Sequence, residues 1–263
     1  MYAATGALAG VLAGLLGVGG GLVIVPALSS VFEAQGLPKE SIIHLALGTS
    51  LASIVFTSLS STRAHHLRGS VDFSLVRRIT PGILIGTFLG GAAAATLSTP
   101  WLKAVFAIFL ITVVVQLFSG IRPRPTRTLP GAWGLTSVGL AIGGVSGLVG
   151  IGGGSLSVPF MIFCNVEVRR TIGTSAAIGF PIAVSGTLSY IINGFGVTPH
   201  VPYTLGYLHL PALAGVALFS VLTAPLGAKL GTLLPPTRIK RAFACMLAVV
   251  ALKMLWSVIL AIS

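Results

Sequence analysis

The sequence predicts an all-α polytopic membrane protein made of two inverted-topology repeats, each a re-entrant broken-helix hairpin followed by three transmembrane helices. Three observations predict it. Apolar residues make up 54% of the 263 positions and charged residues only 8%, with a mean hydropathy of +1.01, whereas soluble domains carry about 25% charged residues. Eight apolar stretches, roughly 5–31, 42–61, 73–97, 101–120, 132–164, 172–194, 207–233 and 238–262, are separated by short breaks rich in Pro, Gly and charge, and most reach the length that spans a bilayer. The chain also repeats itself. GLLGVGGGLVIVP at 14–26 and GLVGIGGGSLSVP at 147–159 share eight of thirteen residues, and internal repeats mark many transporter folds.

The repeat continues in order. Gly48-Thr49-Ser50 matches Gly173-Thr174-Ser175, and Gly69 matches Gly206. Lys103, Phe106 and Ala107 match Lys240, Phe243 and Ala244, each 137 residues further on. Residues 1–120 therefore form the first repeat, 121–131 a linker holding Pro123, Pro125 and Pro130, and 132–263 the second.

Charge sets the expected topology. Sixteen Lys and Arg against four Asp and Glu give +12, an excess expected of cytoplasmic loops. A nucleic-acid partner is not expected, because no basic stripe interleaves with aromatics. Thirteen of the sixteen cations fall in four places: Arg63 to Arg78, Arg122 to Arg127, Arg169 and Arg170, and Lys229 to Arg241. With all four in the cytoplasm, stretch 132–164 must enter and leave on one side. It is then a hairpin bent at GIGGG, and by repetition 5–31 is a hairpin bent at GVGGG. The remaining six stretches alternate, leaving both termini outside and the linker in the cytoplasm. As helix, residues 5–16 rise about 18 Å, close to half of a hydrocarbon core about 30 Å thick, so each bend should lie near the midplane. No basic n-region and cleavage site precede the first apolar run, so no signal peptide is expected.

The glycines suggest the chemistry. Three in succession weaken a helix by about 1 kcal/mol each, and without Cβ atoms the amides can turn toward a ligand. The returning half-helices begin there, with a positive dipole end and unpaired N–H groups that favour anions. Thr49, Ser50, Thr174 and Ser175 could add short hydroxyl donors or link helices. Gly82, Gly86 and Gly90, with Gly10, Gly14, Gly227 and Gly231, are spaced for helix packing. Glu33, Glu40, Asp72 and Glu167 are the only acids and all lie in or beside loops, which disfavours cation channels and carboxylate proton relays. Coupling through a histidine, or to sodium held by carbonyls, stays open. Lys253 sits within the last stretch, either reaching the outer surface or charging a cavity. Its repeat partner is Gln116. His65 and His66 are expected on the surface among arginines. Tyr190 and Asn193 read equally as interface anchors or site residues. Cys164 and Cys245 lack metal spacing. No dinucleotide or P-loop pattern and no zinc-protease motif occurs, so neither an enzyme nor a cofactor is expected.

With these motifs the chain resembles the TauE/SafE family of sulfite exporters and related anion permeases. GLLGVGGGLVIVP and GLVGIGGGSLSVP, ALGTS and TIGTSAA, and LRGSVDF and LGYLHLP carry the resemblance over essentially the whole length. It implies an inner-membrane secondary transporter of small sulfur-containing or organic anions such as sulfite, thiosulfate or sulfonates. The implied site comprises Gly19, Gly20, Gly21, Thr49 and Ser50 with Gly152, Gly153, Gly154, Thr174 and Ser175. Ser155 departs from Leu22 at the matching place and could add a hydroxyl. A passive anion channel of the same fold is the first alternative, and a membrane enzyme or assembly factor acting on sulfur compounds the second. Which anion, which direction and which coupling ion remain open, and so does a homo-oligomer.

Overall fold

The computed structural model describes residues 1–16, 20–119, 128–197, 201–233 and 236–262. The described residues are all-α apart from one hairpin of two-residue strands. Its helices are α1 (Tyr2–Leu16), α2 (Gly21–Ala34), α3 (Lys39–His66), α4 (Phe73–Thr96), α5 (Thr99–Ser119), α6 (Ala132–Val149), α7 (Gly154–Phe163), α8 (Val168–Gly194), α9 (Leu210–Leu233) and α10 (Pro236–Ile262). Strands β1 (Thr204–Leu205) and β2 (Leu208–His209) pair antiparallel just before α9. No alternating run around them is long enough to signal strands.

Six of the described helices, α3, α4, α5, α6, α8 and α9, are long and apolar enough to cross a bilayer. The protein is a multi-pass membrane protein. The first and fifth apolar stretches break where expected, yielding α1–α2 and α6–α7. Their arms are uneven, however. At 18 residues, α6 rises about 27 Å, well beyond half a hydrocarbon core, whereas α7 has only 10 residues. Most of the expected linker, 121–127, lies outside the described residues, Arg122, Arg124 and Arg127 included.

Burial separates inner helices from outer ones. α3 and α8 pack on each other at the centre, with 83% and 67% of their apolar windows buried, against 28% for α5 and 33% for α9. Two tight helix pairs flank them, α1 with α9 and α4 with α6. Glycine spacing explains both. A Cβ on Gly82, Gly86 or Gly90 would lie 1.9–2.1 Å from the carbonyl oxygens of Thr136, Leu140 or Gly144. A Cβ on Gly6, Gly10 or Gly14 would lie 2.0–2.5 Å from those of Val216, Ser220 or Ala224. Small residues every fourth position thus let backbones touch, and dispersion contacts replace the hydrophobic drive that lipid cannot supply. Thr223 adds a hydroxyl bond of 2.9 Å to the Ala7 carbonyl.

His65 corrects a surface expectation. It is buried, with Nε2 3.2 Å from the Gly14 carbonyl, while His66 stays exposed. Tyr190 is wholly buried and donates to the Gly147 carbonyl at 3.1 Å, tying α8 to α6. It is no interface anchor.

Candidate functional site

Both glycine clusters end in the same backbone device. Gly20 caps α2 with φ +76° and Gly153 caps α7 with φ +73°. This left-handed conformation costs an L-residue with a side chain roughly 1–2 kcal/mol. In each helix the sixth residue is proline, Pro26 or Pro159. Proline has no N–H, so the Leu22 and Ser155 carbonyls lose their intrahelical donors. Gly19 lies outside the described residues. Gly20, Gly21, Gly152, Gly153 and Gly154 are all buried.

The two bends meet. A Cβ on Gly21 would lie 2.7 Å from the Gly150 carbonyl oxygen and 2.9 Å from the Ile151 Cα. Ser50 Oγ donates to the same Gly150 carbonyl at 2.9 Å. Gly150 itself ends α6 in the left-handed region, φ +66°. In the second cluster, Ser157 Oγ lies 2.9 Å from Ser175 Oγ. Ser50 and Ser175 are fully buried and both sit next to a bend.

Thr49 and Thr174, also fully buried, do something else in this conformation. Thr49 Oγ1 accepts the His209 backbone N–H at 2.9 Å, and Thr174 Oγ1 accepts the Asp72 backbone N–H at 2.9 Å. Each hydroxyl thus holds the segment leading into another helix. The preceding glycines make room. A Cβ on Gly48 would sit 2.4 Å from the Tyr207 carbonyl oxygen, and one on Gly173 would sit 2.3 Å from that of Ser70. In the Gly-Thr-Ser motif, glycine admits the crossing chain, threonine binds its amide, and serine faces a bend. The segment ends are capped alike: Asp72 Oδ1 accepts from Leu75 N at 3.1 Å, and His209 Nδ1 accepts from Ala212 N at 3.3 Å. Burial against Phe32 lowers the proton affinity of His209 below the ordinary histidine value, and burial raises the Tyr207 phenol above its own.

Hydroxyls without partners mark the second bend. Ser146 Oγ and Ser155 Oγ are buried and make no hydrogen bond, and Ser146 Oγ would be 3.4 Å from a Cβ on Gly153. Buried polar atoms are nearly always paired; the hydroxyls of Ser29, Ser61, Thr62, Thr87 and Thr187 are unpartnered in the same way. Lys253 is not at either bend: it is exposed and donates to Ser30 Oγ at 3.0 Å. Gln116 is half-buried near the end of α5. No group of three or more His, Cys, Asp or Glu able to hold a metal occurs among the described residues.

The family model for the sulfite exporter TauE/SafE matches residues 2–254. The chain belongs to the TauE/SafE family. A probable membrane transporter protein of Haemophilus influenzae is 38% identical over 252 residues, spanning 95% of both chains. The probable membrane transporter protein YdhB of Bacillus subtilis is 29% identical over 95% of this chain and 97% of its own length. A Methanocaldococcus jannaschii relative is 27% identical over 95% and 92%. No solved structure matches the chain. Membership in TauE/SafE makes this a membrane transporter and not an enzyme.

Proposed function

We propose that this TauE/SafE protein is a secondary transporter that exports a small sulfur-containing or organic anion such as sulfite, thiosulfate or a sulfonate. In this reading residues 1–120 and 132–263 are inverted repeats that rock about a midplane site. The linker 121–131 is cytoplasmic and both termini are outside. The observation that carries it is a pair of buried, left-handed glycine caps, Gly20 ahead of the α2 start and Gly153 ahead of the α7 start, with the first hairpin's Gly21 packed against Gly150 of the second. A helix N-terminus favours negative charge without a formal cation, and each bend carries one. The orphan hydroxyls of Ser146 and Ser155 add donors.

Matched contacts support the repeat. Thr49 with His209 and Thr174 with Asp72 form the same bond in exchanged roles. Gly6, Gly10 and Gly14 meet α9 as Gly139, Gly143 and Gly147 meet α4. The acids agree as well: Glu33 and Glu40 lie at helix ends, and Asp72 and Glu167 are helix N-caps. None therefore provides a carboxylate for a cation at mid-depth. An inside-negative potential favours export by about 2.3 kcal/mol per elementary charge per 100 mV.

The test is sulfite efflux from loaded proteoliposomes. Flux should rise with an inside-negative potential and fall at least about tenfold in Gly153→Leu. Absence of flux for sulfite and every sulfonate tried would refute the reading. Labelling of a cysteine placed at Ser263 in intact cells should show it outside, and a cytoplasmic signal would refute the inverted topology. Unitary currents in a planar bilayer would replace the carrier by a channel.

A further inference from the structure

Away from the bends, a cavity of about 240 Å³ opens between α2, α5 and α10. It begins at Leu22 and Val23, in the first turn of α2, and runs outward past Pro26 and Ala27 to Glu33 and Lys103. Its far wall is Met246, Val250 and Met254 of α10. The lining is thus chiefly apolar, but five polar residues break it in three places. Lys103 Nζ pairs with Glu33 Oε1 at 3.1 Å. Lys253 Nζ reaches across to Ser30 Oγ at 3.0 Å, and no carboxylate other than that of Glu33 lines the cavity. Two ammonium groups against one carboxylate leave one positive charge. The third is Ser29, which lines the cavity at 5% exposure with an Oγ that has no hydrogen-bond partner. A buried hydroxyl is seldom left without a partner unless a ligand or water supplies one.

A place with an apolar trough, one surplus cation and one spare hydroxyl suits an oxyanion joined to an apolar body. The volume lies below the roughly 300–1,000 Å³ of drug-sized sites, so the body is a few carbons long. We propose that this crevice is the outward-facing binding subsite for a short-chain organic sulfonate or carboxylate, with the anion at Lys253 and Ser29 and the carbon chain along Met246, Val250 and Met254. The inference rests on the transport reading above, which places α2's start at the central site. It extends that reading by giving the solute an apolar portion and an outer route to the Gly20–Gly21 bend. An anionic phospholipid shares the chemistry, but a diacyl tail exceeds the cavity.

The positions that match across the sequence repeat explain why the crevice is open. Ala27, Ser30 and Met246 correspond to Phe160, Phe163 and Phe109. Three small or flexible side chains therefore face the cavity where the other half carries three aromatic rings.

Calorimetric titration of the purified protein with butanesulfonate, methanesulfonate and sulfite tests the proposal. Butanesulfonate should bind at least about tenfold more tightly than methanesulfonate, since each buried methylene adds affinity. Ala27→Phe should erase that preference and spare sulfite binding, and Lys253→Met, a milder change, should weaken both sulfonates about tenfold. Equal affinity for the two sulfonates, or variants that bind butanesulfonate as the parent does, would overturn the subsite. If sulfite binds and is transported while no sulfonate preference exists, the crevice fails and the transport reading stands. If a folded protein neither binds nor moves any of the three, both fail. Phosphatidylglycerol retained in native mass spectrometry, lost in Lys253→Met, with no butanesulfonate binding, would overturn the solute in favour of lipid.

Discussion

α2 and α7 start from the same glycine-capped bend and then live in different surroundings. α2 is set into the core: Leu22, Ile24, Val25, Leu28 and Phe32 are each at most 1% exposed. α7 has only Gly154, Ser157 and Met161 buried among its residues. The caps also meet different neighbours. A Cβ on Gly20 would strike the Ala9 backbone carbonyl at 2.9 Å, whereas one on Gly153 would strike the tip of Ile182 at 2.3 Å. The backbone device is thus duplicated, but what it packs against is not. One bend is anchored in rigid backbone and the other rests on a movable side chain beside unpaired hydroxyls. Under the alternating-access reading proposed above, the α7 bend is expected to be the softer of the two.

Four measurements would break or sharpen that contrast. The largest effect is expected from Phe32→Ala. Emptying a fully buried aromatic site costs about 3–5 kcal/mol, while Phe160→Ala, on a half-buried ring, should cost less than half as much, read as apparent unfolding midpoints in detergent. Equal losses would mean that α7 is as firmly embedded as α2. Next, Gly20→Ala and Gly153→Ala should each lose about 1–2 kcal/mol to left-handed strain. Adding Ile182→Ala should recover transport in the second but not the first, and no rescue would remove the assigned softness. Third, Thr49→Val and Thr174→Val each orphan a buried amide, at about 1–3 kcal/mol apiece. Similar losses are expected because the two bonds are alike, and a silent variant would break that equivalence.

The smallest effect concerns the paired caps. His209 caps α9 through a neutral Nδ1, and burial lowers its proton affinity in the folded state. The unfolded chain then takes up the proton first, so stability falls as pH drops through about 6.5 and levels off below the folded value. His209→Asn keeps an acceptor at the cap without titrating and should flatten that part of the profile. Ser or Asn at position 72, by contrast, should leave it in place. An unchanged slope in His209→Asn would assign the pH response to another group.

Much of the fold could be read from the chain. The eight apolar stretches, the two bends and the packing glycines follow from composition and spacing, because lipid demands apolar helices and close helix contact demands small residues. The placing of the expected site residues was legible in part: Gly20 and Gly153 cap the two returning helices, and Ser50 and Ser175 both bond to the α6–α7 hairpin. Thr49 and Thr174 could not be resolved from sequence, because a short hydroxyl suits a ligand or an amide equally, and only the crossing segments reveal which one it meets. Lys253 remained ambiguous for a similar reason. Its partner Ser30 lies 223 residues away along the chain. The orphan hydroxyl of Ser29 carried no sequence signal at all, since serine is common in helices that face one another.

By itself the sequence determined that this is a helical membrane protein of the TauE/SafE family, broken twice at glycine and free of mid-helix acids, because periodicity, composition and backbone freedom are local properties. Only the tertiary structure decided which hydroxyls are consumed in holding the chain, how long each hairpin arm is, and where an apolar crevice meets a spare positive charge. Most of those depend on contacts between residues far apart in the chain, up to 223 positions for Lys253 and Ser30, which no local pattern encodes.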